Sequence, residues 1–198
     1  MLTAVVLASL TPLSAATELR ITLEDGFGSS RYRVLLDMPS ELLMGDDLKV
    51  VFTLYLDELP PLKHFAGYLS LTFTLLSEDG RTVARTTINN RAEPYKVDFI
   101  YPGYRWGPYS LTLKPDYSRL SAGGKVSVYI TLEAEENVED HLGVPVIPTR
   151  PNPSTVQAAE LRVSQRLPIL ESAVLGVVFG LVLAGGYVVF RRMRRGSA

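Results

Sequence analysis

GDDLKVVFTLYL, at residues 45–56, is the stretch that decides the predicted fold. After a turn made by Gly45 and two aspartates, apolar and polar side chains alternate along it. Successive side chains of a β-strand point to opposite faces, so this alternation predicts a strand with one face in a core and the other in solvent. The side chains predicted to point inward are Leu48, Val50, Phe52, Leu54 and Leu56, and those predicted to point outward are Lys49, Thr53 and Asp57.

The same alternation recurs along the chain, interrupted by turn residues about every 8–12 positions. Two further long segments alternate at residues 68–75 and 125–133, and shorter ones occur at 19–23, 32–36, 95–101 and 109–113. No helical pattern lies between them. Several short strands with one apolar face each predict an all-β fold, an antiparallel β-sandwich of about 7–9 strands.

Turn residues fall where this fold requires them. Asp79-Gly80 lies between the segments 73–76 and 81–88, and this dipeptide is typical of a β-hairpin. Gly123-Gly124 precedes the alternating segment at 125–133, as Gly45 precedes the segment described first.

The order of four motifs between residues 31 and 133 carries a resemblance to a known superfamily. A Gly-Asp turn enters the strand at 45–56, SEDGRTV follows at 77–83, then DFIYP at 98–102 and GPYSLTL at 107–113. This order resembles immunoglobulin-like sandwich modules of the fibronectin and macroglobulin type, in which a G-x-Y-x-L-x-L strand is frequent. The chain departs from them in lacking a cysteine pair and in placing Trp106 in a Gly/Pro-rich stretch. The resemblance implies an immunoglobulin-like fold and a role in binding, spacing or assembly rather than catalysis.

Residues 1–16, MLTAVVLASLTPLSAA, predict a secretory signal peptide. The apolar run ends at Pro12, and Ser14 and Ala16 supply the small residues expected before a cleavage site that follows Ala16. The run is too short to span a membrane, which takes about 20 apolar residues. No Lys or Arg precedes it. The alternative interpretation is a buried N-terminal strand.

Residues 167–190 predict one C-terminal transmembrane helix, because residues 173–190 contain no charged side chain. The tail at 191–198 follows directly and is basic. Short Arg-rich segments stay on the cytoplasmic side, so the tail is predicted inside and the N-terminal domain outside a cell membrane, in type I single-pass topology. The residues that determine this topology are Arg191, Arg192, Arg194 and Arg195.

Small residues recur on one stripe of the predicted helix, at Gly176, Gly180 and Ala184. Such a stripe lets a second helix approach closely. The alternative is that glycine is simply frequent in membrane helices.

Residues 17–140 are predicted to form the extracytoplasmic sandwich, and residues 141–166 a Pro-rich stalk. Within this stalk ELRVS, at residues 160–164, offers a last edge strand. In that alternative the segment lies along the sandwich. We favour a mixture of the two, in which Leu161 and Val163 dock on the sandwich.

The chain contains no catalytic or metal-binding motif. It has no cysteine, two histidines, and neither a G-x-S-x-G nor an H-E-x-x-H sequence. We therefore predict no enzymatic activity, no cofactor and no metal, and a surface position for His64. Outside the basic tail the chain is mildly acidic, so it lacks the electrostatic footprint of a nucleic-acid binder, and we predict no nucleic-acid partner. An acidic run is predicted to be solvated, because it lacks the tight Gly turn of a calcium loop: Glu133, Glu135, Glu136, Glu139 and Asp140.

YPGYRWGPY, at residues 101–109, has the composition of a binding hot spot held by Gly and Pro. Strand parity predicts that Tyr101 and Tyr109 point inward. The candidate partner-binding residues are therefore Tyr104, Arg105 and Trp106. The alternative is that Trp106 covers the open end of the sandwich core.

These features predict a non-enzymatic, membrane-anchored protein whose outer β-sandwich makes protein–protein contacts at the cell surface or within a membrane complex. Its predicted partners are the lipid bilayer and a protein, either another chain or a second copy, bound through the sandwich or the helix. Two alternatives stay open. One is an accessory subunit of a membrane enzyme or translocation complex, and the other is a surface domain that binds carbohydrate or solute through the aromatic loop.

Overall fold

The computed structural model describes residues 14–139 and 145–165, which fold mostly into β-strands. A 3₁₀ turn at Tyr117–Arg119 is the one helical element in this part of the chain. The prediction of an all-β fold is confirmed. In chain order the strands are β1 (Ser14–Asp25), β2 (Gly28–Pro39), β3 (Glu41–Leu43), β4 (Leu48–Glu58), β5 (Lys63–Ser77), β6 (Thr82–Asn89), β7 (Arg105–Leu113), β8 (Lys125–Glu139), β9 (Pro145–Thr149) and β10 (Ser154–Ser164).

The strands form two sheets. The first has the order β1-β2-β4-β7, and the second has the order β3-β10-β8-β5-β6, with β9 also paired to β8. All pairings between these strands are antiparallel except that of β3 with β10. Apolar side chains of both sheets belong to one buried cluster, so the arrangement is that of a β-sandwich.

The core confirms the register predicted for β4. Its five inward apolar side chains are at most 1% exposed, whereas Lys49 and Asp57 on the other face are exposed. Phe52 lies at the centre: its ring centroid is 5.7 Å from that of Phe73 in the second sheet and 5.6 Å from that of Trp106. Tilted and edge-on ring pairs of this kind add stabilisation to that of burial.

The predicted hairpin at Asp79-Gly80 joins β5 to β6. The backbone N–H of Ser77 donates to the carbonyl oxygen of Arg81 at 2.9 Å, and that of Gly80 donates to Ser77 at 2.9 Å. Gly80 has a φ of 77°, which glycine adopts without a steric penalty. The hairpin prediction is confirmed.

Residues 95–101, which the alternation predicts as a strand, form only an isolated bridge at Ile100. Side chains from outside this segment donate hydrogen bonds to part of its backbone. The amide of Asn90 and the indole N–H of Trp106 donate to two of its carbonyl oxygens, at 2.9 and 2.7 Å. Hydrogen bonds to side chains therefore replace a continuous ladder in this segment, and the prediction of a strand here is wrong.

The segment predicted as a stalk, residues 141–166, packs on the sandwich where it is described. β9 and β10 follow each other along one side of β8, and Leu161 and Val163 are buried. β3 pairs in parallel with the last three residues of β10, so this short strand covers only the end of the predicted edge strand. The described strands of the sandwich therefore extend to Ser164, beyond the predicted boundary at residue 140.

At the N-terminal side, β1 begins at Ser14, so residues 14–16 of the predicted signal peptide pair with residues 37–39 of β2. Residues 1–13, the predicted transmembrane helix at 167–190 and the basic tail at 191–198 lie outside the described residues. No helix within the described ranges is long and apolar enough to cross a membrane. The signal peptide and the single-pass topology remain predictions.

Phe52→Ala is expected to lower the free energy of unfolding by about 3–5 kcal/mol, because it removes buried contacts and leaves a cavity between the sheets. Lys49→Ala, on the outward face of the same strand, should change it by less than about 0.5 kcal/mol. Urea unfolding of the full chain in mild detergent, followed by circular dichroism of the strands, measures both. Equal losses in the two variants would contradict the register of β4.

Candidate functional site

The two ends of the sandwich differ. β1 begins and β10 ends at one of them, where Ser14 pairs with Pro39 and the backbone N–H of Met44 donates to the carbonyl oxygen of Ser164 at 2.9 Å. We call the opposite end the distal end. It is formed by the β1–β2 turn, the β4–β5 turn, the segment that precedes β7, and β9, which pairs with the last residues of β8. Neither the start of β1 nor the end of β10 lies there.

Most of the exposed large apolar side chains lie at the distal end. Among the described residues seven such side chains are exposed, and six belong to this end. A concentration of exposed apolar side chains at one end is typical of an interaction site. The seventh is Val51, in the middle of β4. We name the six side chains the distal apolar surface: Phe27, Leu62, Phe99, Tyr101, Tyr104 and Ile147.

The segment at residues 98–104 is bonded to both sheets. Ile100 and Ala66 of the second sheet exchange two backbone hydrogen bonds, at 2.9 and 3.0 Å. The backbone N–H of Gly103 donates to Leu56 of the first sheet at 2.8 Å. Because backbone hydrogen bonds join this loop to both sheets, its side chains are held in position although the segment is not a strand.

The aromatic side chains of this segment pack on one another around Phe65. The ring centroids of Phe99 and Tyr101 lie 4.8 and 5.6 Å from that of Phe65. Tyr104 packs in turn on Tyr101, with a centroid distance of 5.8 Å, and is 64% exposed. The rings therefore form a preformed aromatic cluster that extends from a half-buried phenylalanine to a solvent-facing tyrosine.

The β1–β2 and β4–β5 turns touch each other. Gly28 has a φ of 119°, and a Cβ atom there would lie 3.2 Å from the ring of Pro60. The backbone N–H of Phe27 donates to the carboxylate of Asp25 at 2.9 Å. Because both turns are short and in contact, Phe27 and Leu62 are displayed from backbone that has little freedom.

Three charged side chains meet beneath these turns, and we call them the buried ion cluster. Lys63 Nζ lies 2.7 Å from an oxygen of Asp25 and 2.7 Å from an oxygen of Glu136. The side chains of Lys63 and Glu136 are 0% exposed and that of Asp25 is 12% exposed. Asp25 comes from the first sheet and the other two from the second, so the cluster bridges the sandwich.

Hydroxyl groups complete the shell of the buried carboxylate. Ser30 Oγ donates to Glu136 at 2.7 Å, and the phenol of Tyr32 donates to its other oxygen at 2.5 Å. Burial, together with the adjacent charge of Glu136, raises the pKa of Tyr32 well above its ordinary value, so the phenol stays protonated. Both donors belong to β2, which adds a fourth strand to this meeting point.

The ionised form of Asp25 is favoured. Burial opposes it, but the hydrogen bonds from Lys63 and from the backbone N–H of Phe27 outweigh burial and hold the pKa of Asp25 below its usual value. The cluster therefore holds two carboxyl groups and one ammonium group in a space that solvent barely reaches.

The three residues proposed as partner-binding from the sequence separate in the structure. Tyr104 and Arg105 are exposed at the distal end, but Trp106 is 1% exposed in the core. Its indole N–H donates to the carbonyl oxygen of Tyr95 at 2.7 Å. Trp106 therefore covers the core, and its assignment as a surface contact is wrong. Tyr101 was predicted to point inward by parity and is instead exposed, because the segment is not a strand.

Sequence reasoning missed the buried ion cluster. Glu136 belongs to the acidic run predicted to be solvated, yet it is fully buried. The signal was its phase in β8, since it continues the series of inward side chains Val126, Val128, Ile130, Leu132 and Ala134.

The remainder of the acidic run behaves in part as predicted. Glu133 is exposed, and Glu135 forms ion pairs with Arg91 and Arg150. Among the described residues no group of three His, Cys, Asp or Glu side chains is placed to hold a metal ion.

Other predicted sites lie outside the described residues: Asp140, the helix stripe Gly176, Gly180 and Ala184, and the topology determinants Arg191, Arg192, Arg194 and Arg195. Neither a protein-family model nor a curated protein matches the chain. Its function must therefore be argued from the geometry of its own residues.

Trp106→Ala is expected to lower the free energy of unfolding by about 3–5 kcal/mol, as truncation of a buried aromatic side chain does. Tyr104→Ala, two residues away but exposed, should change it by less than about 0.5 kcal/mol. Thermal and urea unfolding of the full-length variants separate the two. If Trp106→Ala is as stable as the wild type, the assignment of Trp106 to the core is contradicted, and it is again a candidate surface contact.

Proposed function

We propose that this chain is a non-enzymatic, membrane-anchored protein whose extracytoplasmic β-sandwich binds a protein partner through the distal apolar surface. The observation that carries the proposal is the concentration of exposed apolar side chains at one end of the sandwich. Binding sites of proteins are commonly built this way, with aromatic and aliphatic anchors on loops held by a rigid scaffold. Export and anchoring rest on the predicted signal peptide at residues 1–16 and the predicted helix at 167–190.

The strand order supports an immunoglobulin-like topology. β2, β4 and β7 stand in the order of strands A, B and E, and β6, β5, β8 and β10 in that of C′, C, F and G. β1 is then an added edge strand. In antibody variable domains the B–C and F–G loops at one end of the sandwich bind the antigen. The β4–β5 turn, which corresponds to the B–C loop, belongs to the distal end.

Carbohydrate binding is the second candidate, and the exposed rings of Tyr101 and Tyr104 favour it. Their planes are tilted by 58° to each other, however, so they do not make a flat platform for a sugar ring. Phe27 and Leu62 carry no polar side-chain group, whereas a sugar requires several placed hydrogen-bonding groups. The composition of the surface therefore favours a protein partner with apolar side chains of its own.

An accessory subunit of a membrane enzyme or translocation complex is a particular form of the same proposal, in which the partner is itself a membrane protein. The predicted helix then offers a second contact through Gly176, Gly180 and Ala184. A partner bound at both places would be held more tightly than by either contact alone.

Leu62→Ser combined with Tyr104→Ser is expected to weaken partner binding about tenfold or more, because truncating central apolar anchors removes most of the binding energy of an interface. The full chain is purified with an affinity tag in mild detergent. Co-purifying chains are quantified by mass spectrometry, and self-association is measured by analytical ultracentrifugation.

Val51→Ser is the matched control, since Val51 is the exposed apolar side chain that lies away from the distal end. It should leave both the partner and the fold unchanged. The proposal is contradicted if the double variant keeps its partner at wild-type stoichiometry, or if the wild-type chain is a monomer that binds glycans and no protein.

A further inference from the structure

The buried ion cluster has an arrangement that a purely structural ion pair does not require. A lysine amine lies 2.7 Å from one carboxyl oxygen of Asp25, and a second carboxyl group, that of Glu136, lies 2.7 Å from the same nitrogen. Solvent reaches neither Lys63 nor Glu136. An amine nucleophile, a carboxyl electrophile and an independent proton carrier are thus in contact, and only the electrophile, Asp25, is partly exposed.

The energetics of the cluster favour the loss of its charges. Moving an ion pair out of water costs several kcal/mol for each ion, and the mutual attraction repays this only in part. Conversion of Lys63 and Asp25 to a neutral amide would remove one fully buried and one largely buried charge. The remaining charge of Glu136 keeps the hydrogen bonds from Ser30 and Tyr32.

We propose that Lys63 and Asp25 join in an intramolecular isopeptide bond, with Glu136 as the general base and acid of the reaction. This inference is independent of the proposed function: the bond can form whether or not the distal end binds a partner.

Atoms and charges balance in the reaction. Glu136 takes a proton from the Lys63 ammonium group and passes it to the Asp25 carboxylate, which gives a neutral amine and a neutral carboxylic acid. The amine attacks the carboxyl carbon of Asp25 to form the C–N bond. Glu136 then takes a second proton from that nitrogen and passes it to the departing hydroxyl group, so the C–O bond breaks and water leaves. The ammonium group loses two hydrogens and the carboxylate one oxygen, which leave together as one water. No oxidant, reductant or other reactant is needed.

The bond would act as a permanent clamp on the distal end. It links β1 of the first sheet to β5 of the second across a sequence separation of 38 residues. The chain has no cysteine, so no disulfide can supply such a link. Closing a loop of this length restricts the unfolded chain and stabilises the folded one, as a disulfide does.

Mass spectrometry of tryptic peptides from the full-length protein tests the proposal directly. Asp25 lies in the peptide 21–31, and the bond blocks cleavage after Lys63, so residues 50–81 stay together. The expected product is peptide 21–31 attached to peptide 50–81, with a mass lower than their sum by one water. Recovery of free peptides 21–31 and 50–63 from folded protein would overturn the proposal.

The chain supplies its own control. Lys125 lies 2.6 Å from Glu160, as close as Lys63 to Asp25, but this pair is largely exposed. After denaturation an amine-reactive reagent should label Lys125 and leave Lys63 unlabelled. Equal labelling of the two lysines contradicts the bond.

Two variants test the chemistry. In Asp25→Asn the leaving group becomes ammonia, so the linked peptide should have the same mass as that of the wild type. Glu136→Gln cannot carry the proton and should leave the peptides unlinked in a chain that circular dichroism shows to be folded. Linkage at the wild-type level in folded Glu136→Gln would remove Glu136 from the reaction; if that variant does not fold, the wild-type and Asp25→Asn peptides still decide whether the bond exists.

Discussion

A positive charge without access to solvent is the constraint on which the distal end depends. An unpaired ammonium group in the protein interior costs several kcal/mol, so Lys63 requires the carboxylates of Asp25 and Glu136 within hydrogen-bonding distance. Glu136 in turn requires the hydroxyl groups of Ser30 and Tyr32. These five side chains belong to β1, β2, β5 and β8, so satisfying one buried charge fixes the ends of four strands in two sheets. A bond between Lys63 and Asp25 would make the same constraint covalent.

What this constraint fixes is the platform from which apolar side chains are displayed. Phe27 follows Asp25 by two residues, and Leu62 directly precedes Lys63. Side chains that are held in position lose little entropy when a partner binds, which is the advantage of a preorganised surface. At the opposite end, where β1 begins and β10 ends, none of the described residues is an exposed large apolar side chain. The exposed apolar side chains of the described sandwich are therefore concentrated at the end that the buried ion cluster holds together.

The sequence predicts what alternation determines and misses what tertiary contacts determine. β4 and the hairpin at Gly80 follow from side-chain period and turn chemistry alone. Residues 95–101 alternate as well, but Asn90 and Trp106 occupy their carbonyl groups, and no pattern within the segment records that. The sequence predicts only residues 160–164 of β10 as a strand. The pairing of β10 with β3 joins residues far apart in the chain, which a local pattern does not record.

The candidate site was predictable only in part. Tyr104 stands out by composition and is exposed, while Trp106, chosen by the same reasoning, belongs to the core. Glu136 could be identified from its phase in β8. Lys63 could not, because two irregularities in the pairing of β5 with β8 shift the phase between it and the regular part of the strand.

Amide hydrogen exchange in a Lys63→Met, Glu136→Gln double variant tests most directly whether the buried ion cluster holds the distal end in place. The variant removes both fully buried charges together, so neither is left unpaired. We expect exchange to accelerate at the amides of Phe27 and Gly103, and to stay unchanged at Gly80 in the hairpin of the other end. Unchanged exchange at Phe27 and Gly103, or equal acceleration at Gly80, would contradict this account.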